Sequence, residues 1–571
     1  MLPSDVVFQP STHDREKIAQ KLEAIALAHI LIPFLIFVVA LINFAFGGRM
    51  TPIILPLSIL VIPFFIRLWI PSWKDTGLIL FITLLTYILS LGIAVTFFDG
   101  SYDGLSYHQE AVIRLAQGWN PVFENAEKYG PLGHQKLVEY FPKASWIVGA
   151  ATFLLTGKIE TGKLFVLAMM AAAWFQVAAT LLRLTPLSFL TVALLSLLFA
   201  ANPVAIYQST TFLVDGLLAS FLTIFLASLS NFIMIRRFRF LLSGLIAMVL
   251  AINVKFNSLL YLSILIGFAL LLIWRLHGFR RAIRPGAVFG VTAMCSICLL
   301  GYAPYIRNLI HNGILLYPLF GDFETEFNKT LRINMPANVR VANRFSRYTI
   351  ANLSRTGNPF GRETTQLKFP LFVSLAELKA FHDNDLRSGG FGPLFGAIFI
   401  CAALTALVIF FSPYRGRFLL IWFWSGSLLV TIFVHDLGWW ARYTPQSWIL
   451  PCLLAVAALM TPVNSIRWLG RTLILLMLIN LILITGSYAY KQRMYTLETQ
   501  RALLRMQRAH QPVVVHIKPF FSLRQRFKEA GISILQEDSL PPENITLIII
   551  NRIPAPARLY WEERPNVPKM E

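Results

Sequence analysis

The chain has 571 residues, of which 56% are hydrophobic and 14% charged, well short of the roughly 25% charged residues of a soluble globular chain. Its net charge of +21 would suit nucleic acid, but many of the basic residues sit in short loops between apolar runs, where the bias of cytoplasmic loops toward Lys and Arg accounts for them. Nucleic acid is therefore not an expected partner, and the apolar runs, many near the roughly 20 residues that cross a bilayer, predict an α-helical polytopic membrane protein.

In chain order, a polar stretch of about 22 residues precedes the first apolar run, and no small-residue cleavage site follows, so a retained span is expected. The runs predict about 13 spans, at 23–46, 52–70, 76–97, 160–183, 187–207, 212–234, 240–254, 258–274, 287–304, 390–411, 418–434, 448–463 and 472–489. Arg236-Arg237-Phe238-Arg239, the stretch from Arg275 to Arg284, Arg415-Gly416-Arg417, and Arg467 with Arg471 all fall on one side of this trace. The positive-inside rule makes that side cytoplasmic, with the N-terminus inside and the C-terminus outside. The apolar segment 144–157 is too short to span and would reverse the later loops, so it is read as an interfacial helix. The division expected is a transmembrane domain over 1–489, with outer loops 98–159 and 305–389, and a periplasmic α/β tail over 490–571. In the tail Val513–Val515, Ile532–Ile534 and Ile545–Ile550 read as strands and Leu523–Ala530 as a helix. Cys295, Cys298, Cys401 and Cys452 all lie in apolar runs, which argues for packing rather than a disulfide framework or a zinc site.

Charges inside or beside apolar spans are costly and so are informative. Asp99 and Asp103 follow the third span directly, and Asp215 lies just inside the outer end of its span. Lys255 occupies an outer turn, Arg307 follows the ninth span, and His435, Asp436 and Arg442 lie in the loop before the twelfth, close to Trp439, Trp440 and Trp448. All are expected at one level, the outer membrane surface. Carboxylates and cations lining a cleft there suit a substrate with a lipid tail and an anionic head. From Asp103 the period becomes helical, with Leu105, Val112, Ile113 and Leu115 on one face and His108, Gln109, Glu110, Arg114 and Gln117 mostly on the other, until Gly118. That predicts an amphipathic interfacial helix. A second begins after Phe141-Pro142-Lys143.

With these residues in place, the sequence resembles the GT-C type membrane glycosyltransferases that use polyprenyl-phosphate sugars, a group that includes the lipid A aminoarabinose transferases and the protein O-mannosyltransferases. The similarity lies in Asp103-Gly104-Leu105-Ser106-Tyr107-His108 with the helix ending at Gly118, in Pro142-Lys143, in Asp215, in Arg307-Asn308 with Tyr317-Pro318, and in Arg442-Tyr443-Thr444-Pro445. It covers roughly residues 76–465 in order and sidedness. The chain departs from the family where Gly104 stands in place of the usual Glu and where Asp99 offers a competing acid.

The resemblance implies an inverting transfer of a sugar from a polyprenyl-phosphate donor to an extracytoplasmic acceptor, which would be a lipid, a glycan or a protein, at the outer face of an inner membrane. A phosphate leaving group asks for positive charge, a task for Lys143, Lys255, Arg307 or Arg442. The acceptor asks for a general base, assigned to Asp103 ahead of Asp99, with Asp215 as a third catalytic acid. Tyr107, His108, Tyr317, His435 and Tyr443 complete the expected substrate-binding set. No cofactor is expected. Asp99, Asp103 and Asp215 could supply oxygen ligands to a divalent metal, but cationic side chains suffice for the phosphate. Asp383-Asn384-Asp385 is read as a solvated turn. The competing functions are an O-antigen ligase or polymerase, and a flippase or transporter of lipid-linked sugars. A transporter is expected to show internal repeats and charges at mid-membrane, and neither is visible.

Overall fold

The computed structural model describes residues 13–321, 329–381, 383–508, 513–515 and 517–536, together with the backbone of two short strands at Leu547–Ile548 and Leu559–Tyr560. The protein is a polytopic helical membrane protein. Among the described residues, seven helices are long and apolar enough to cross a bilayer singly, and an eighth candidate is the pair Arg280–Cys298 and Tyr302–Asn312, bent by 73°. Five shorter apolar helices, Ile54–Trp69, Phe189–Ala200, Phe238–Ile252, Phe395–Phe411 and Pro445–Met460, fall on the other predicted spans. The predicted span 187–207 is interrupted at Ala201-Asn202, where Asn202 caps a separate short helix, Pro203–Tyr207.

Burial separates the inner helices from the outer ones. Asp215–Ile235 is enclosed along almost its whole length by Phe165–Leu184, Phe238–Ile252 and Asn257–His277. Trp73–Thr96 instead leaves Leu78, Phe81, Leu85, Ile88 and Leu89 exposed. An apolar belt of that kind is stable only against lipid.

Two predictions about helices change. The segment after Asp103 is helical to Ala116, but its polar face is buried as well: His108, Gln109, Glu110 and Arg114 are all inside. Arg114 pairs with Glu110 and donates to the carbonyls of Tyr129 and Pro131, so that face packs on protein and not on water. Ala144–Thr156 is likewise buried over its first nine residues except Ser145.

The last helix, Asn464–Arg508, runs 45 residues without a break across the expected domain boundary at 489/490. At 1.5 Å per residue it is about 67 Å long, roughly twice the thickness of a bilayer core, and one face of its polar second half is buried, with Thr496 and Gln492 bonded to the backbone of Phe98. Beyond it, Val513–Val515 pairs in parallel with Ile534–Gln536, and the helix Leu523–Glu529 lies between them in sequence. Of the predicted strand 545–550, only Leu547–Ile548 lies within the described residues, paired antiparallel with Leu559–Tyr560. The four cysteines are free thiols.

Candidate functional site

The site is built where three loops and one helix start meet. After Trp73–Thr96 the chain turns at Asp99, whose carboxylate accepts from the backbone N–H and hydroxyl of Ser101, both at 2.7 Å, and from the N–H of Phe212 at 2.8 Å. This turn launches a wide helical turn over Gly104–His108, closed by a bond from the N–H of Gln109 to the carbonyl of Gly104. Turns of this i→i+5 type are uncommon and concentrate at functional sites. A Cβ on residue 104 would lie 2.1 Å from Asp99 Oδ2 and 2.3 Å from Ser101 Oγ. Asp99 therefore accounts for the glycine found where the resembling family carries Glu.

Asp103 immediately precedes that turn and is drawn to Arg442, from the loop between Leu419–Val434 and Ile449–Met460. Arg442 is the hub. Its Nη2 donates to Asp103 at 2.7 Å, its Nε to Asp215 at 3.0 Å, and its Nη1 lies 3.1 Å from Asp385. Asp215 opens the helix Asp215–Ile235, where the helix dipole favours a carboxylate. It also pairs with Lys255 and accepts from Gln208 at 2.9 Å, while Gln208 in turn accepts from the N–H of Gly216. Lys255 lies over the ring of Tyr443, 4.6 Å from its centroid. Three carboxylates thus face two cations.

The three acids are not equivalent. The Asp215 side chain is 1% exposed, against 25% for Asp103 and 28% for Asp385. Burial raises the Asp385 carboxyl to about 6 even with Arg442 beside it, and its Oδ1 makes no hydrogen bond. Burial lowers the Lys255 ammonium, whereas the three carboxylates more than offset burial at Arg442 and hold it firmly charged.

Tyr107 and His108 adjoin this cluster, with ring centroids 4.2 Å apart. Trp146 Nε1 donates to His108 Nδ1 at 2.7 Å, which leaves the imidazole proton on Nε2. Burial lowers His108 to about 4, so it is a neutral group near pH 7. His435 packs against Tyr443 and Tyr261, and burial with Lys255 nearby lowers it to about 4 as well.

The other sequence candidates lie apart from Arg442. Asp99 is fully buried and committed to the turn described above. Arg307 donates to the carbonyls of Pro121 at 3.0 Å and Glu124 at 3.2 Å, and to Asn125. Lys143 is buried between Trp119 and Trp146 and donates to the carbonyls of Glu139 and Phe141. Burial, opposed by Glu139, lowers Lys143 to about 7. Tyr317 packs edge-on against Tyr140 at 4.8 Å, and Asn308 ties the carbonyls of both tyrosines together. These residues fasten the first large loop to the bundle.

Sequence reasoning missed Asp385 and Gln208. Asp385 is not a solvated turn residue, because Arg442 draws it into the cluster. The Asp383-Asn384-Asp385 pattern was the available signal. Gln208 gave none. Among the described residues, no group of three His, Cys, Asp or Glu side chains is arranged to hold a metal ion.

The fold and site together define a helical membrane protein with an acid-rich, arginine-centred cluster where its loops converge. No protein-family model matches the chain, and no curated protein matches it significantly. Among solved structures, ArnT from Cupriavidus metallidurans bound to undecaprenyl phosphate aligns with 81% of this chain and 86% of that chain, at 11% identity and a TM-score of 0.44. A likeness of that size decides neither fold nor function, so the functional reading rests on the site's own geometry and on the sequence motifs.

Proposed function

We propose that this protein is a membrane glycosyltransferase that moves a sugar from a polyprenyl-phosphate donor to an acceptor hydroxyl, with inversion, on the extracytoplasmic side of an inner membrane. The observation that carries this reading is the convergence of Asp103, Asp215, Asp385, Lys255 and Arg442 beside apolar space. A narrow, mostly apolar crevice of about 30 Å³ lies between helices, walled by Trp146, Phe165, Val166, Leu217 and Val254, the last adjacent to Lys255 in sequence. Its walls match a lipid tail in polarity, and the helices have to part to admit one. A polar cavity of about 250 Å³ opens beside Gly100 and Asn384, lined by Tyr488, Tyr490, Gln492 and Tyr495, and gives an acceptor room next to the chain segments that carry Asp103 and Asp385. The basic loops named above support the sidedness.

In this mechanism the donor phosphate exchanges with Asp103 on Arg442. Asp103 is free to release, because it is partly open to solvent, as Asp385 is, while Asp215 is enclosed and held from three sides. Lys255 and Arg442 then face the phosphate with charge-assisted hydrogen bonds. The freed Asp103 carboxylate takes the proton of the acceptor hydroxyl as its oxygen attacks the anomeric carbon. The bond from that carbon to the phosphate oxygen breaks, and polyprenyl phosphate leaves with the electron pair. Asp385 accepts from a substrate hydroxyl and orients it.

The decisive experiment is Asp103→Asn assayed with a panel of polyprenyl-phosphate sugars. The expected result is donor binding at least as tight as in wild type, because Asp103 no longer competes for Arg442, and transfer reduced by about 10²-fold or more, the scale of general-base loss. Unchanged transfer would remove Asp103 from the chemistry.

A further inference from the structure

The segment Ile517–Glu529 reaches back from the far end of the long last helix and lies on the loop that carries Asp103. Ser522 donates to the carbonyl of Leu105 at 2.6 Å. Arg526 donates to the carbonyl of Asp99 and to Glu160, at 2.9 and 2.8 Å. The ring of Phe520 meets Tyr102 edge-on at 5.2 Å, and Phe520, Phe521, Leu523 and Phe527 form an apolar cluster with Leu105. A Cβ at Gly133 would lie 2.0 Å from the carbonyl oxygen of Pro519, so the segment also seats tightly on the first loop. Glu529 accepts from the N–H of Ile159 at 2.8 Å.

Charge makes this contact more than a cover. Glu160 is buried, pairs with Lys163 and Arg526, and accepts from the N–H of Asp99 at 3.0 Å. Asp99 and Glu160 carry two negative charges, and Lys163 and Arg526 two positive ones. Without Arg526 the buried group would be one cation short beneath the loop that orients Asp103, and burying an unbalanced charge is strongly unfavourable.

We infer that Ile517–Glu529 is a strap that fixes the Asp99–Gln109 loop, and that Arg526 is a positioning residue for the Asp103 carboxylate. The inference uses the proposed transfer only for its consequence on rate; the ordering of the loop stands independently. Chain from beyond the long last helix thereby completes a site whose other residues lie between Asp103 and Arg442.

The test is hydrogen exchange on the full chain in detergent, comparing wild type, Arg526→Ala, Arg526→Lys and Ser522→Ala. With Arg526→Ala the amides of 99–109 should exchange at least about 10-fold faster, while those of Asp215–Ile235 stay as in wild type. Arg526→Lys keeps the charge and should recover most of the protection. Exchange at 99–109 within twofold of wild type, on the order of experimental scatter, overturns the strap. Should Arg526→Ala loosen the whole bundle, Ser522→Ala decides, because it removes only the bond to Leu105: faster exchange confined to 99–109 supports the strap, and no change overturns it. With a donor that wild type turns over, kcat should fall in Arg526→Ala with the donor KM held within about threefold, and Arg526→Lys should restore kcat. A loosened loop with unchanged kcat would overturn the positioning role. The exchange result uses no substrate, so failure of the transferase proposal and failure of the strap are separable.

Discussion

Two charged clusters flank the same short loop and are built to different rules. Around Asp99, Glu160, Lys163 and Arg526 two acids meet two bases, all are buried, and hydrogen bonds from Ser101 and Phe212 complete the set. Around Asp103, three carboxylates share Arg442 and Lys255, and two of the three are partly open. The first cluster is neutral and closed, so it has no capacity for a ligand and serves to hold a shape. The second carries an excess of acid and can exchange partners. Proximity in sequence therefore says little about role: Asp99 and Asp103 are four positions apart, and what distinguishes them is whether the opposing charge is fully matched and sealed from water.

The comparison can be broken at its closed side first. Glu160→Ala leaves Lys163 and Arg526 buried without their carboxylate, and should cost about 3–5 kcal/mol. Thermal unfolding in detergent would show it as a large fall in Tm. An unchanged Tm would mean that the closed cluster is not what holds this loop.

A second test uses the titration of Asp99, raised to about 6 chiefly by burial, with Lys163 opposing and Glu160 adding. An acid whose folded pKa lies above its unfolded value near 4 binds its proton more tightly when folded. Its stabilising contribution is then present below about pH 4 and lost as pH rises to about 6, a change of about 3 kcal/mol. Asp99→Asn lacks this term, so the stability of wild type relative to Asp99→Asn should be higher at pH 4.5 than at pH 7. The reverse slope would place a stronger cation at Asp99 than the structure does.

On the open side, Asp385→Asn should leave Tm nearly unchanged and slow transfer about 10-fold, the effect of losing one charged hydrogen bond of about 1.5 kcal/mol. Full activity would remove Asp385 from the site and leave it only a countercharge. The smallest effect is expected from Arg307→Ala. It loosens the first loop at Pro121 and Glu124 by about 1 kcal/mol and leaves the donor KM within about threefold. A large rise in that KM would return Arg307 to phosphate binding.

Much of the architecture was legible because its cause is local. A bilayer demands runs of about 20 apolar residues, and each predicted span coincides with a helix or a broken pair of helices. The interruption at Asn202 and the bend after Cys298 are marked in the sequence only by Asn202-Pro203 and by Gly301 with Pro304, short breaks inside runs that remain apolar on either side. For the site, Asp103, Asp215, Lys255 and Arg442 were singled out together because charge beside an apolar span is costly wherever it occurs. Asp385 was passed over because its polar surroundings remove that signal.

By itself, then, the sequence determined that this chain crosses a membrane many times, and which charges stand beside its spans. Tertiary structure alone decided which of those charges meet. It sent Arg307 and Lys143 to backbone carbonyls, closed Asp99 within a neutral quartet, and brought Asp385 to Arg442. It also brought Arg526 back over the loop from 366 residues away in sequence from Glu160. The physical reason is that apolar burial follows from composition over a local window, whereas the fate of an ion depends on the few partners within about 4 Å, and those arrive from distant parts of the chain.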